Sequence, residues 1–534
     1  MGLLHSSRFA LLLLLVPWLL GSVFAQTSNS GLDVKTHHSP NIGINTADDT
    51  VYTVDITLGG QNFTVLLDTG STDLWINAQG RNVALTNTSS LIATEVYGQG
   101  AVQGNIAFAE LKVGNYVVPS QAFVNATRIV NMTTTVDGYM GMSFDVSNIF
   151  STVAQAWGNE SAQTLGRSFI TNLFAQNTSL PNNFDIQLGR TEQMDEDGAG
   201  TFIVSGHSAA FGDVSDAPKL PRVVSDRWAV VMDEMRINGE KFSFNQSSVP
   251  GVPEGKVVAV MDSGFSLPPL PPAAVDAIYK SVPGAVFSQA AGGYVIPCNS
   301  STILSFVFGG QEFLVHPLDL ALPFVVPIVK NGATTNVTVC VATYQYLNLD
   351  PTQFAGFDLI LGDAFLRNVY ASFDYGDFNP MTNTSGTPFI QMVTTVDPYT
   401  AMDEFYQDRA TILATLPPTI EPSQFIQYPI ATGANSTSST ASQDDAISGA
   451  LSTDDDAASA HSNSDRTSWI VAFVLLGANL LVGLALLVVT LTMCVRGTKG
   501  KSVGSRYVPV RLKEADAHAE HDSEHGVPRY TDEA

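Results

Sequence analysis

Leu66-Leu67-Asp68-Thr69-Gly70-Ser71-Thr72-Asp73-Leu74-Trp75 places a carboxylate directly after two leucines. The run leading into it, Val51 to Leu67, alternates apolar and polar residues around Gly59-Gly60, the pattern of two strands and a turn. A carboxylate closing a buried strand is costly unless hydrogen bonds hold it. Thr69-Gly70-Ser71 offers hydroxyls and backbone N–H groups for that purpose. Far downstream the pattern returns as Val260-Met261-Asp262-Ser263-Gly264-Phe265-Ser266, again an apolar strand running into Asp, a hydroxyl residue and Gly. One such tripeptide carries little information. Two copies, each ending an apolar run, carry much more, although two Asx-type turns closing strands would look the same. The chemistry gives a reason for two. Carboxylates brought together cannot both ionise, so they share a proton. One can then act as base on a water while the other acts as acid toward a carbonyl.

With these residues quoted, residues 51–398 resemble the pepsin-type aspartic endopeptidases, here in a membrane-anchored, fungal-like form. The resemblance implies a mainly all-β fold of two similar lobes facing each other across a cleft. Asp68 and Asp262 would be the catalytic pair, holding one water between them without cofactor or metal. Thr69 and Ser263 would brace the two loops, Gly70 and Gly264 would complete them, and Ser71 would hydrogen-bond Asp68. Tyr97-Gly98-Gln99-Gly100 resembles the flap, a hairpin closing over substrate, with the Tyr97 hydroxyl bonded to Trp75. Asp137-Gly138-Tyr139-Met140-Gly141-Met142 and Leu359-Ile360-Leu361-Gly362-Asp363 resemble the apolar-Gly elements that pack beneath the loops through Gly141 and Gly362. Cys298 and Cys340 stand where the family usually has a bridge in its second lobe. In an oxidising lumen an isolated pair most simply forms a disulfide, two buried free thiols being the other reading. The expected substrate is an extended peptide, held by backbone hydrogen bonds and side-chain pockets.

Two features depart from the family pattern. Phe265 stands where most relatives carry Thr or Ser, whose hydroxyl bonds the second carboxylate. Its absence should move the acidic limb of the pH profile upward. The family's longer basic propeptide also has little room here, since the first strand is expected near Val51 and residues 26–50 read as disordered or loosely docked.

The rest of the chain concerns address and solubility. At 534 residues it exceeds one core, so more than one domain is expected. The formal net charge is −25, and the acidity lies in the middle of the chain, which argues against a nucleic-acid partner. It suits an acidic compartment, or simply solubility. Residues 1–25 read as a signal peptide, with Arg8, an apolar core from Leu11 to Leu20 and a small-residue end at Ala25. Eleven Asn-x-Ser/Thr sequons follow, all before the later apolar span. Residues 399–468 read as an extension and a Ser/Thr/Asp-rich stalk. Trp469 to Val495 is uncharged for 27 residues, long enough to span a bilayer, and Arg496, Lys499 and Lys501 place residues 496–534 in the cytoplasm. A lipid-anchor signal fits less well, because the chain continues beyond the span. Tyr507-Val508-Pro509-Val510 resembles an endocytic sorting signal, a pattern common by chance.

Within the lobes, 51–222 and 223–398, short alternating runs read as strands, and Ser151 to Gln176 reads as helix. Trp157, Leu165, Phe169 and Leu173 are its expected core residues. Gly206-His207-Ser208 lacks the final Gly of a nucleophile elbow. Gly98-x-Gly100-x-x-x-Gly104 has the wrong spacing for a dinucleotide loop, and no paired Cys-x-x-Cys or His-Glu-x-x-His signals a metal. The expectation is therefore a monomeric aspartic endopeptidase on the lumenal or extracellular side of a plasma or vacuolar membrane. The rival is an inactive peptide-binding or adhesion ectodomain on the same fold, which loss of either Asp would have favoured.

Overall fold

The computed structural model describes residues 41–431, apart from residues 48, 133–134, 191–199, 350–354, 378 and 380–385. The signal peptide, the stalk beyond residue 431, the apolar span and the tail lie outside the described residues. Among the described residues no helix is long and apolar enough to cross a membrane.

The alternating run is built as read. Strands Val51–Leu58 and Gln61–Asp68 pair antiparallel around Gly59-Gly60. Both glycines have positive φ, 52° and 78°, which a tight hairpin turn demands and a side chain resists. These strands belong to an eight-stranded sheet that also holds Leu74–Ile76, Leu85–Val96, Ala101–Val113, Tyr116–Val130 and Gly138–Gly141. The strand ending in Asp68 lies parallel to Gly138–Gly141, with Asp68 beside Gly141. The second half repeats this device. Val257–Met261, which leads into Asp262, lies parallel to Leu359–Leu361, with Met261 beside Leu361. A five-stranded sheet joins the halves, ordered Gly200–Val204, Asn183–Leu188, Val369–Asp374, Phe389–Thr394, Leu220–Pro221. One continuous apolar core, from Ile44 and Tyr52 to Ile390 and Met392, runs beneath both halves.

The helical stretch differs from its reading. It is three helices, Asn148–Trp157, Asn159–Leu165 and Phe169–Gln176, interrupted at Gly158 (φ 91°) and Gly166. Phe169 and Leu173 are buried, but Trp157 and Leu165 are 44% and 45% exposed. Each ends its own helix, so the spacing by four does not carry one apolar face through the breaks.

Residues 41–50 are tied in more firmly than expected. Asn45–Ala47 pairs with Val51–Leu58, the Ile42 N–H donates to the Phe202 carbonyl at 2.8 Å, and Ser266 Oγ donates to the Thr50 carbonyl. The start of the C-terminal extension is likewise docked. Ala401–Ala414 inserts Phe405 and the Arg409 guanidinium, which donates to the Ala321 carbonyl at 2.7 Å. Thr338 N–H bonds the Pro418 carbonyl, and Phe425 packs among Val326, Ile328 and Val339 on the hairpin of Ala321–Lys330 and Ala333–Ala342. That hairpin carries Cys340, which forms a disulfide with Cys298.

Candidate active site

The two Asp loops meet at the end of their strands. Thr69 N–H donates to Ser263 Oγ at 3.1 Å, and Ser263 N–H donates to Thr69 Oγ1 at 2.9 Å. Each hydroxyl then reaches past the other loop. Thr69 Oγ1 donates to the Met261 carbonyl at 2.9 Å, and Ser263 Oγ to the Leu67 carbonyl at 2.6 Å. All four bonds are buried, where their geometry is worth most. They clamp residues 194 positions apart.

The clamp brings the carboxylates face to face. A Cβ added at Gly70 would lie 2.1 Å from Asp262 Oδ2, and one added at Gly264 would lie 2.5 Å from Asp68 Oδ1. Each loop's glycine therefore makes room for the other loop's carboxylate, and nothing larger fits. Gly141 and Gly362 do the same from behind. A Cβ at Gly141 would meet the Thr72 backbone at 2.3 Å, and one at Gly362 would meet the Phe265 carbonyl oxygen at 1.8 Å.

The two carboxyls are not equivalent. Asp68 accepts from Gly70 N–H at 2.9 Å and from Ser71 Oγ at 2.5 Å. Asp262 accepts from Gly264 N–H at 2.8 Å and from no hydroxyl among the described residues. Burial raises both pKa values. The Ser71 hydroxyl and Gly70 amide draw Asp68 back, whereas the charge on Asp68 pushes Asp262 well above the usual carboxylate range. The two environments therefore differ in acidity, Asp262 being the harder carboxyl to ionise beside a charged Asp68.

Over these loops stands the turn between Leu85–Val96 and Ala101–Val113, closed by Tyr97 N–H donating to the Gly100 carbonyl at 3.1 Å. Gly100 has φ 76° and rests on the Val130 and Asn131 backbone, where a Cβ would overlap at 2.2 Å. Gln99 is exposed at the turn's outer side. One expectation fails here. The Tyr97 hydroxyl and the Trp75 indole N–H, both buried, have no partner among the described residues and are not bonded to each other. The Tyr139 ring touches both instead, 4.9 Å from Trp75 and 5.2 Å from Tyr97 between ring centroids. Tyr139 belongs to the Gly141 element, and its place beneath the hairpin turn is invisible to local spacing.

A second carboxyl pair was also missed. Glu95, 7% exposed, lies two residues before Tyr97 and is hydrogen-bonded to Asp73, 4% exposed, at the end of the first loop. Asn148 Nδ2 donates to Glu95 Oε2 at 2.7 Å, and the Ile149 N–H to Asp73 Oδ2 at 3.0 Å. Glu95 Oε1 has no donor among the described residues. A proton held between the two carboxyls relieves their repulsion. Burial and the adjacent Asp73 push Glu95 up to about 9. The signal was present in the sequence, since Ala93, Glu95 and Tyr97 alternate onto the inner face of one strand.

The pair makes stability pH-dependent. In the unfolded chain Glu95 loses its proton near its ordinary value, while in the fold it keeps it up to about 9. Across that window the native state binds more protons, so stability falls as pH rises, by up to about 1.4 kcal/mol per pH unit. Glu95→Gln keeps the shape and supplies a permanent donor to Asp73. Thermal melts from pH 5 to 8 should show a falling Tm in the wild type and a flatter dependence in Glu95→Gln, with the variant several degrees more stable at pH 8. Parallel curves for the two proteins would remove Glu95 from this role.

The arrangement can be set against known proteins. The profile of the eukaryotic aspartyl protease family matches residues 51–379, from the first strand of the hairpin through both Asp loops. The chain belongs to that family. As an aspartyl protease it is similar to cathepsin D of Dictyostelium discoideum, 25% identical over 362 residues covering 63% of this chain and 84% of that one. It is also similar to a vacuolar aspartic protease of Candida albicans, 26% identical over 60% of this chain and 72% of that one. The aspartic proteinase from Irpex lacteus has the same fold, with a TM-score of 0.51 at 19% identity, covering 68% of this chain and 99% of that structure.

Proposed function

We propose that the protein is a membrane-anchored aspartic endopeptidase whose catalytic residues are Asp68 and Asp262. The observation carrying the proposal is the crossed packing of Gly70 against Asp262 and Gly264 against Asp68, which brings two buried carboxyls together so that one proton can serve both. In that state a water between them is deprotonated by Asp68 as it attacks the scissile carbonyl carbon. Asp262 gives its proton to the carbonyl oxygen, and the product is a tetrahedral gem-diol. Return of a proton to the amide nitrogen then lets the C–N bond break. Thr69, Ser263 and Ser71 hold the carboxyls in register, and the Tyr97–Gly100 turn covers an extended peptide.

The signal peptide, the span and the basic residues after it favour a single-pass protein with the lobes on the lumenal or extracellular side. Of the nine sequon asparagines among the described residues, eight are exposed and Asn125 is half-buried, as glycan acceptors need. The catalytic unit works as a monomer, since each chain supplies both aspartates.

Detergent-solubilised full-length protein should cleave an unfolded protein with a bell-shaped pH dependence peaking on the acid side of neutral. A tail epitope should become protease-accessible only after membranes are opened. Peptide binding with no cleavage from acid to neutral pH would assign the chain to the inactive peptide-binding class instead.

A further inference from the structure

Phe265 sits three residues beyond Asp262, and its backbone is held on both sides. Its N–H donates to the Asp262 carbonyl at 3.2 Å, and its own carbonyl accepts from the Asp363 N–H at 2.9 Å. The close approach of Gly362 to that carbonyl leaves the backbone no room to shift. The ring is therefore presented from a fixed point, and it reaches the tip of the opposite hairpin. A Cβ built on Gly98 would lie 2.7 Å from Phe265 Cζ and 3.3 Å from Leu349 Cδ2. The hairpin is fixed on its far side too, because Gly100 rests on the Val130 and Asn131 backbone. Phe265 also packs against the buried cluster of Val258, Val260, Phe357 and Ile360, an apolar bed that favours the position it takes.

We infer that Phe265 is a specificity-determining residue. Its ring spans the gap from the second Asp loop to Gly98 and fills the subsite through which one substrate residue beside the scissile bond must pass. This rests on the peptidase reading of the site. A substrate with Gly, Ala or Ser at that one position can lie between ring and hairpin. A large side chain there must displace the ring from its bed and the hairpin tip from Gly98. Gly98 is the matching half of the device, since any side chain there would collide with the ring. The chemistry of the rest of the cleft sets the other positions independently.

Peptide-library cleavage by the solubilised full-length protein, read by mass spectrometry, tests this against Phe265→Ala and Phe265→Leu, with melting curves confirming that each variant is folded. The wild type should prefer Gly, Ala or Ser over Leu or Phe about tenfold or more in kcat/KM at one position adjoining the cleaved bond. Phe265→Ala should erase that preference at that position only, and Phe265→Leu should fall between. In parallel, calorimetric affinities for statine-containing peptides that vary only at the same position report the same discrimination without turnover. A wild type that binds with this discrimination but does not cleave would overturn the peptidase reading and keep the subsite. Cleavage and binding profiles unchanged by both substitutions, or changed equally at every position, would overturn the assignment of Phe265.

Discussion

Asp68→Asn and Asp262→Asn should each lower kcat/KM on an unfolded protein substrate by roughly ten-thousand-fold, and the double variant should be no slower than either single one. The equality follows from the geometry. The clamp of Thr69 and Ser263 holds both loops in one unit, and only the singly protonated pair contains a base and an acid together. In the proposed mechanism, Asn at position 68 removes the group that accepts the proton from water. In the same mechanism, Asn at position 262 removes the group that delivers one to the carbonyl. A statine-type inhibitor, whose hydroxyl imitates the gem-diol, should bind the wild type far more tightly than either variant. The substitutions are nearly isosteric, so melting temperatures should stay close to the wild type, separating loss of chemistry from loss of fold. Losses that multiply in the double variant would mean that the two carboxyls work separately, contrary to the mechanism above.

Asp319→Asn should lower the stability of the protein by about 3–5 kcal/mol, a large part of what a domain has. Asp319 is 2% exposed and is the shared anion of two buried guanidiniums. It accepts from Arg367 Nε at 2.6 Å and from Arg190 Nη2. Arg190 follows the strand Asn183–Leu188, also bonds Asn368 at 2.9 Å, and comes from the first half of the chain. Arg367, from the second half, also donates to the Asp49 carbonyl at 2.5 Å, tying in the N-terminal segment. Removing the charge on Asp319 leaves both buried cations without their shared anion, which costs more than the pairing itself contributes. Urea unfolding should show a lower midpoint with an unchanged slope. A change within about 1 kcal/mol would mean that water or another group already compensates.

The same carboxylate bears on acid tolerance. Despite the opposing effect of burial, Arg190 and Arg367 hold Asp319 below its ordinary pKa. A carboxylate depressed in the fold stabilises above its unfolded pKa and loses that contribution only as pH falls through the lower folded value. The anchor between the halves thus survives into the acid range in which the Asp68–Asp262 pair is expected to work. The raised Glu95 acts in the same direction from the other end, since its effect weakens the fold as pH rises rather than as it falls.

Much of the fold was legible because its signals are local. Alternation around Gly59-Gly60 specifies a hairpin, and two apolar strands ending in Asp-Thr/Ser-Gly specify two equivalent loops. The two apolar-Gly elements specify what lies beneath them, because only glycine tolerates an approach as close as Gly141 to Thr72 or Gly362 to Phe265. The misreadings lie where a local pattern is cut or a partner is remote. Gly158 and Gly166 divide the helical stretch and turn Trp157 and Leu165 outward. Glu95 was passed over because an acidic residue in an alternating strand is ordinarily on the solvent side.

The sequence by itself pointed to the family through its two Asp-Thr/Ser-Gly loops and the glycines around them, since each of these depends on residue type at short spacing; the cysteine pair, 42 residues apart, it left between a disulfide and free thiols. Tertiary structure alone decided which groups complete the site. It set Tyr139 against Tyr97 and Trp75, brought Asp73 to Glu95, joined Arg190 and Arg367 on Asp319, and laid Phe265 against Gly98. Backbone periodicity is a property of neighbours along the chain. A buried polar or aromatic side chain instead takes whatever partner the packed strands bring within reach, and that partner can come from the other half of the molecule.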